Sequence, residues 1–251
     1  MMHTYRIFIQ DPTMLSASKL TLPPDKVHHL LHVLKLMPMD VLDIVTPTHI
    51  VSVTIQKITP SFIEFDRCHT TDIPQRPYPA ITIFQACPKQ DKMTDILRSC
   101  TEIGVQKFVP IYTEKSLCEI SAHKQSRWES VLVSAAEQSK QMGIPILEPA
   151  YNLHDLGHFL SKHSFDHLLV CWELELTLTL KQSLQVFRQK NLTSTLPTIG
   201  ILVGPEGGLT QQDRRLCQKW GFVSVSLGPG ILRVEHAAFY ACSHVLYEWS
   251  L

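Results

Sequence analysis

Residues 199–210 of the chain read IGILVGPEGGLT, and this stretch is the starting point for assigning the fold. A short aliphatic run breaks into a loop with glycine at three of five positions, and Thr210 is followed three residues later by Asp213. This order predicts a buried strand, a tight loop and a capped helix. In α/β proteins, loops that follow a strand in this way commonly bind ligands.

The composition of the loop at 204–208 limits what it can bind. Glycine allows positive φ and a close approach of a ligand to the backbone, and Pro205 has no N–H to donate. Glu206 is then the only side chain of the loop able to contact a polar or cationic ligand. The spacing differs from the Gly-x-Gly-x-x-Gly of dinucleotide-binding folds, and Leu209 and Thr210 stand where a nucleoside-triphosphate loop has Gly and Lys. Neither of those two kinds of site is expected.

A second strand-like run, Val223–Leu227, also ends in a loop, Gly228-Pro229-Gly230, which leads to a strongly apolar helix from Val234 to about Trp249. Parallel strands end at the same edge of a sheet, so two such loops are expected to form one ligand crevice. From Ala80 onward, strand and helix patterns alternate. This alternation predicts an α/β domain whose mostly parallel sheet is covered on both faces.

Three motifs carry a resemblance to a known family: LVGPEGGLT at 202–210, LGP at 227–229 and ILRVE at 231–235. They resemble the RsmE family, the 16S ribosomal RNA uracil-N3 methyltransferases of the SPOUT class. The similarity runs over nearly the whole chain, through 6–8, 29–35, 85–105 and 137–138. It implies S-adenosylmethionine as the methyl donor, 16S rRNA in the small ribosomal subunit as the substrate, a C-terminal trefoil knot, and a homodimer formed through the knot region.

The resemblance also suggests site residues. Methylation of N3 needs a cation near the uracil carbonyls, and Arg233, directly after the second loop, is the first candidate catalytic residue, with Glu206 as the second. Glu235 is a candidate for orienting the ligand, or is a carboxylate favoured by the helix dipole. The expected cofactor-binding residues lie in the two loops: Leu202, Val203, Gly204, Glu206, Gly207, Gly208, Leu227, Gly228, Pro229, Ile231 and Leu232.

Residues 1–73 have a different pattern. A helix is predicted over 25–36, and alternating apolar runs at 41–45, 49–58 and 62–65 are typical of hairpin-connected antiparallel strands. A small β-barrel carrying one helix is expected, which the resemblance implies is a PUA-like RNA-binding domain. The prolines of 73–79 mark a stiff connector, so the predicted domains are residues 1–73 and 74–251.

The charge of the chain is balanced, with 23 basic and 23 acidic residues, so RNA must be held by a local patch rather than by net charge. Arg6 and Lys35, which match family positions, are the best candidates for RNA contacts, with ordinary solvated side chains as the alternative. Weaker candidates lie along the first helix of the second domain: Lys89, Lys92 and Arg98.

Other features point to a cytoplasmic protein. The seven cysteines are scattered and form no Cys-x-x-Cys pair, which indicates reduced thiols. No signal peptide and no membrane span are predicted. His28 and His32 are four residues apart and could in principle bind a metal, but no acidic or cysteine partner lies near in sequence, and no metal is expected.

Four positions depart from the family pattern. Gln141, Gly143 and Gly230 stand where the family commonly has basic residues, and His236 where it often has threonine or alanine. The main prediction is an S-adenosylmethionine-dependent rRNA (uridine-N3) methyltransferase. A non-catalytic RNA-binding or ribosome assembly factor that keeps the cofactor fold is the alternative. A third possibility is an α/β enzyme that uses another adenine-containing ligand.

Overall fold

The computed structural model describes residues 4–89, 91–116, 120–191 and 195–249. Contacts divide the chain into two units, Met1–Gln75 with Ala136–Ile144, and Arg76–Ala135 with Pro145–Leu251.

The first unit contains a five-stranded sheet and a short helix. The strands are β1 (Thr4–Phe8), β2 (Lys19–Thr21), β3 (Val41–Val45), β4 (His49–Ile58) and β5 (Phe62–Asp72), in the order β1-β3-β4-β5-β2. Strands β3, β4 and β5 pair antiparallel, as predicted, and β1 pairs parallel with β3. The strand β5 is longer than the predicted 62–65 because β4 supplies pairing partners along its whole length, up to His49 opposite Asp72.

The predicted helix over 25–36 begins one residue earlier and ends earlier. It consists of α1 (Pro24–His28), which continues as a π-helical turn, His29–Val33, and is preceded in the chain by a 3-10 turn, Pro12–Met14. Lys35 then adopts a left-handed conformation with φ of 54° and closes the segment. Val27 and Leu30 are buried in one apolar core with residues of all five strands, among them Ile7 of β1 and Leu20 of β2.

The segment 136–144 belongs to the first unit, although the predicted boundary placed it in the domain 74–251. Two polar contacts account for this. The Glu137 carboxylate accepts a hydrogen bond from the backbone N–H of Phe8 at 3.2 Å and pairs with the Lys26 ammonium at 3.0 Å. Ala136 is fully buried beside Phe8 and Val45. Long-range contacts of this kind leave no local pattern in a sequence.

The second unit is built on a parallel sheet with the order β12-β10-β11-β6-β7-β8, and β9 also pairs with β7. Every pairing in it is parallel. Its strands are β6 (Ala80–Ala86), β7 (Lys107–Tyr112), β8 (Ile146–Leu147), β9 (Tyr151–Asn152), β10 (His167–Cys171), β11 (Thr198–Val203) and β12 (Val223–Val225). The helices that alternate with them are α2 (Lys92–Glu102), α3 (Ala122–Gln138), α4 (Leu156–Leu160, after a 3-10 turn at Leu153–Asp155), α5 (Leu180–Lys190), α6 (Gln211–Lys219) and α7 (Val234–Trp249).

Both faces of this sheet are covered, as the sequence predicts. Ile201 and Leu202 are successive residues of β11, so their side chains point to opposite faces, and both are fully buried. Leu202 lies opposite Phe84 of β6 in register, and Ile201 lies opposite Ile83. The predicted α/β fold with a mostly parallel sheet is therefore confirmed.

Candidate active site

A cavity of about 550 Å³ lies at the carboxyl edge of the parallel sheet. Its wall is formed by the residues that follow β10, β11 and β12, at 171–173, 203–208 and 226–235, together with Lys92 and Ala237. The two loops singled out in the sequence therefore line one cavity. Its position agrees with the general rule that open parallel sheets bind ligands beyond the carboxyl ends of their strands.

The first loop is held in place by the helix that follows it. The Thr210 hydroxyl accepts a hydrogen bond from the Asp213 N–H at 3.1 Å, and the Asp213 carboxylate accepts one from the Thr210 N–H at 2.9 Å. This reciprocal cap confirms the predicted strand, loop and capped helix. Gly208 has φ of 67°, a left-handed backbone conformation that favours glycine.

The second loop leaves most of its backbone polar groups free. The Ser226 hydroxyl accepts a hydrogen bond from the Gly228 N–H at 3.2 Å and holds the start of the loop. Within the described ranges, the N–H and C=O groups of Leu227, Gly230 and Ile231 make no hydrogen bond inside the chain. A ligand in the cavity can therefore bind to backbone donors and acceptors of this loop.

Glu206 does not project freely into the cavity. Its two carboxylate oxygens accept hydrogen bonds from the Lys89 N–H at 3.0 and 3.1 Å, and one of them lies 3.3 Å from the Lys92 ammonium. Burial alone would raise the pKa of Glu206, but these contacts and its own N–H outweigh it, and the pKa lies below its usual value. A carboxylate held in this form is a weak proton acceptor, so the contacts favour a role in fixing the loop.

Arg233 is exposed, lines the cavity and stands one residue before α7. In the part of the chain that the structure describes, its guanidinium forms no ion pair or hydrogen bond. A cation that no internal anion neutralises remains available for a ligand, which suits the predicted catalytic role of Arg233.

Among the wall residues not predicted from the sequence are Cys171, Trp172, Glu173 and Ser226. Cys171 ends β10 and the next two residues follow it, and no sequence pattern indicates the place of β10 between β11 and β12. Burial raises the pKa of the Cys171 thiol to about 12, so it stays protonated at neutral pH. Among the predicted cofactor residues, Leu202 is the exception, because it is buried in the sheet and does not line the cavity.

The predicted RNA contacts have different surroundings. The Arg6 guanidinium pairs with Asp43 at 3.0 Å and donates to the backbone carbonyls of Lys140 and Gln141 at 2.7 and 3.0 Å. These contacts commit Arg6 to holding the first unit together. Lys35 and Lys89 are exposed, and their RNA contacts stay predictions.

Two of the weaker lysine and arginine candidates are also engaged inside the chain. Lys92 lies between Glu206 and Glu235, and Arg98 pairs with Asp95 of the same helix at 3.0 Å. Lys89 precedes α2 instead of lying along it.

Two other kinds of structural feature are absent from the described ranges. No group of three His, Cys, Asp or Glu side chains there could hold a metal ion. The same ranges contain no helix with the length and apolar character that crossing a membrane requires.

The chain is similar to a known family and to named relatives. Residues 74–246 match the family described as RNA methyltransferase domain. The chain is 28% identical to the ribosomal RNA small subunit methyltransferase E of Bacillus subtilis, over all of this chain and 98% of the relative. It is 33% identical to the protein of the same name from Synechocystis, over 66% of this chain and 52% of that relative.

A solved structure gives the same result at the level of the fold. The ribosomal RNA small subunit methyltransferase E of Neisseria gonorrhoeae, bound to S-adenosyl methionine, superposes with a TM-score of 0.77 at 25% identity, over 96% of each chain. About two thirds of the chain matches one family, and the similarity to the Bacillus subtilis relative extends over nearly the full length of both chains. The chain belongs to the RNA methyltransferase domain family and, within it, to the RsmE group.

Proposed function

We propose that this chain transfers the methyl group of S-adenosylmethionine to N3 of a uracil in 16S ribosomal RNA of the small ribosomal subunit. The observation that carries the proposal is the single cavity formed by the two glycine-rich loops, with the uncommitted Arg233 in its wall. The relatives named as small-subunit rRNA methyltransferases support the substrate. The Neisseria structure bound to S-adenosyl methionine supports the cofactor.

The residues present fit the cofactor. A cavity of about 550 Å³ lies in the range of about 300–1,000 Å³ that is usual for small-ligand sites. Adenine presents hydrogen-bond donors and acceptors at its edge, and the free N–H and C=O groups of Leu227, Gly230 and Ile231 offer both kinds of partner. The apolar side chains of Leu227 and Leu232 provide surface for the faces of the ring.

The chemistry divides between the cofactor and the protein. When bound, S-adenosylmethionine supplies an electrophilic methyl group on a positively charged sulfur. The protein orients the uracil, excludes water and stabilises the negative charge that appears on the uracil carbonyl oxygens as N3 loses its proton. Arg233 is the group of the wall that does the last of these. Glu206, through Lys89 and Lys92, keeps the first loop in place against the start of α2.

The finer architecture is part of the same proposal. We propose that the first unit is the PUA-like barrel, because β1 and β2, the two edge strands of its sheet, contribute to one apolar core. Lys35 of this unit and Lys89 of the second unit are the proposed RNA contacts. We further propose the trefoil knot around the two loops, and a homodimer formed through α7. In the described chain this helix exposes Phe239, Tyr240 and Tyr247, an unusual amount of aromatic surface for one helix. Action on ribosomal subunits places the enzyme in the cytoplasm.

The direct test is methyl transfer from labelled S-adenosylmethionine to small ribosomal subunits that lack the modification, followed by identification of the labelled nucleoside. Label in 3-methyluridine is the expected result. Tight cofactor binding without any transfer would instead support the non-catalytic RNA-binding alternative, which the absence of basic residues at Gln141, Gly143 and Gly230 motivates. Failure to bind the cofactor would refute both.

A further inference from the structure

We propose that Glu235 accepts the N3 proton of the target uracil and that Lys92 is its positioning partner. This inference rests on the proposed function and adds the group that removes the proton. Among the residues that the structure describes, the cavity wall contains three carboxylates, those of Glu173, Glu206 and Glu235, and their surroundings differ in ways that favour one of them.

Glu206 is the least suited of the three. Its oxygens already accept two backbone hydrogen bonds and lie against the Lys92 ammonium, so a further proton would have to displace these donors. Glu173 is exposed, and its carboxylate packs against Gly208 on the loop that follows β11. Water solvates an exposed carboxylate fully and weakens its interaction with any one donor.

In the described chain, one carboxylate oxygen of Glu235 lacks a hydrogen-bond donor. Its side chain is 17% exposed, and its Oε2 atom is buried without a hydrogen bond in the described chain. A ligand that donates a hydrogen bond to this oxygen would satisfy it. The Lys92 ammonium lies 3.8 Å from Oε2, which is within ion-pair distance but beyond hydrogen-bond distance.

The chemistry of uracil matches this arrangement. N3 carries the one proton that must leave, and it lies between two carbonyl groups that share the resulting negative charge. Glu235 supplies the acceptor, and Arg233, two residues earlier, supplies a cation for the charge on the carbonyl oxygens.

In the proposed reaction, two bonds break and two bonds form before the proton is released to water. The N3–H bond breaks and an O–H bond forms on the Glu235 carboxyl, which leaves the uracil as an anion. The lone pair of N3 then forms the bond to the methyl carbon, and the carbon–sulfur bond breaks with its electrons going to sulfur. The proton on Glu235 is finally released to water.

The charged groups around Glu235 define what else could titrate in its place. They are Lys92 on α2, Glu206 in the first loop, Glu173 after β10, and Arg233 and His236 in the chain on either side of it. Of these, Lys92 and Glu206 have contacts that tie them to each other. An experiment must therefore distinguish the loss of proton transfer by Glu235 from a disruption of the ion pairs around it.

The first experiment uses Glu235→Gln, which keeps the size of the side chain and removes its basicity. We expect turnover on small subunits to fall about 100-fold or more, while the Kd for S-adenosylmethionine by calorimetry changes less than about threefold. On subunits assembled with 5-fluorouridine, whose N3 proton is more acidic, the loss should shrink at least about tenfold. Glu129→Gln, an exposed position of α3, is the matched control and should show neither effect.

The second experiment concerns Lys92. In Lys92→Met, turnover on small subunits should fall about tenfold while KM changes less than about threefold, because Glu235 loses the ion pair that positions its carboxylate; Lys92→Arg should restore most of the turnover. If Glu235→Gln folds poorly, a second pair of variants replaces it. Glu235→Asp keeps a carboxylate base and should retain more activity than Glu235→Asn, provided that the two proteins have equal thermal stability.

The outcomes separate the two proposals. An equal loss on uridine and 5-fluorouridine substrates, or a loss of cofactor affinity as large as the loss of turnover, would overturn the role of Glu235. Unchanged turnover in Lys92→Met, or a loss of turnover that Lys92→Arg does not restore, would overturn the role of Lys92. If the unmodified enzyme methylates neither substrate, it is the proposed function that fails.

Discussion

Arg6 and Arg233 show how the surroundings of a residue decide its use. Both lie in stretches on which the resemblance to the RsmE family was based, and both carry the same charge. Arg6 is engaged by a carboxylate and two carbonyls within its unit, whereas Arg233 is exposed in the cavity wall and has no partner among the described residues. The first arrangement stabilises a fold, and the second leaves a cation free for chemistry.

Replacing Arg233 with alanine should therefore reduce activity without affecting stability. Removing one group that stabilises developing charge typically costs about 100- to 1,000-fold in turnover, and an exposed side chain without partners contributes within about 0.5 kcal/mol to folding. Steady-state kinetics on small subunits and a thermal melt measure the two quantities. Arg215→Ala, at an exposed position of α6, is the matched control. Full turnover in a folded Arg233→Ala protein would remove the catalytic assignment.

Arg6→Met, in contrast, should reduce the stability of the protein. It leaves the Asp43 carboxylate, whose side chain is only 13% exposed, without its cation, and two carbonyls without a donor. Breaking such a pair costs about 3 kcal/mol of unfolding free energy. Urea denaturation checks this value. If stability is unchanged while binding to ribosomal subunits weakens, the predicted RNA contact is the better description of Arg6.

At the scale of elements, two helices begin with the same reciprocal cap. Thr210 with Asp213 starts α6, and Thr179 with Gln182 starts α5. The first cap ends the loop 204–208, whereas the second adjoins Ser226, at the start of the second loop, through backbone hydrogen bonds of Leu178 and Leu180. The pair therefore allows the contribution of a helix start to stability to be separated from its effect on the site.

We expect Thr210→Ala and Thr179→Ala to destabilise the protein by a similar amount, about 1 kcal/mol each, because each removes one capping hydrogen bond. Thr210→Ala should also weaken cofactor binding, since it frees the end of the loop 204–208. Thr179→Ala should weaken it less, because the backbone hydrogen bonds of Leu178 and Leu180 to Ser226 do not depend on the Thr179 side chain. Denaturant unfolding and calorimetric titration with S-adenosylmethionine measure the two effects. Equal cofactor affinity in both variants would show that the cap does not hold the site.

Protonation of His167, on β10, makes the free energy of unfolding depend on pH. Its ring stacks on Phe187 of α5 with centroids 4.6 Å apart, and its Nε2 lies 3.0 Å from the Ser183 hydroxyl. Burial lowers the pKa of His167 below its usual 6.5 in the folded protein. The unfolded chain then takes up the proton first as pH falls, so this contribution to stability is complete above about pH 6.5 and is lost below it.

A His167→Gln protein should therefore lose less stability than the unmodified protein between about pH 6.5 and 5. Both are compared by denaturant unfolding at several pH values, and the difference between them isolates His167 from the other histidines. Identical pH dependence in the two proteins would contradict the stated burial effect.

At the scale of the whole molecule, α7 is the element whose surface remains to be explained. It buries Val234, Ala238 and Val245 against its own unit, yet 82% of Tyr247 is exposed. A second subunit packed on the aromatic face is the proposed explanation.

Sedimentation should therefore give twice the chain mass of 28.6 kDa. Tyr247→Glu combined with Phe239→Glu should shift the protein to the monomer, because charges in an apolar interface lack partners. Val186→Glu, at an exposed apolar position of α5, should leave the dimer intact. A monomeric unmodified protein would refute this part of the proposal.

The sequence alone determined those features that depend on neighbouring residues. The strand, loop and cap at 199–213, the alternation of strands and helices after Ala80, and the extent of α7 follow from periodicity and from glycine and capping residues, which act within a few positions of the chain. The two strands that each end in a glycine- and proline-containing loop predicted one crevice at the carboxyl edge of a parallel sheet.

The tertiary structure decided which distant residues meet. The parallel order of β12, β10 and β11 brings Trp172 and Glu173 to the cavity, and the packing of α2 against α7 places Lys92 between Glu206 and Glu235. The same kind of contact puts 136–144 in the first unit and engages Arg6. The physical reason is that such ion pairs and hydrogen bonds join residues tens to more than a hundred positions apart, so no local pattern reports them.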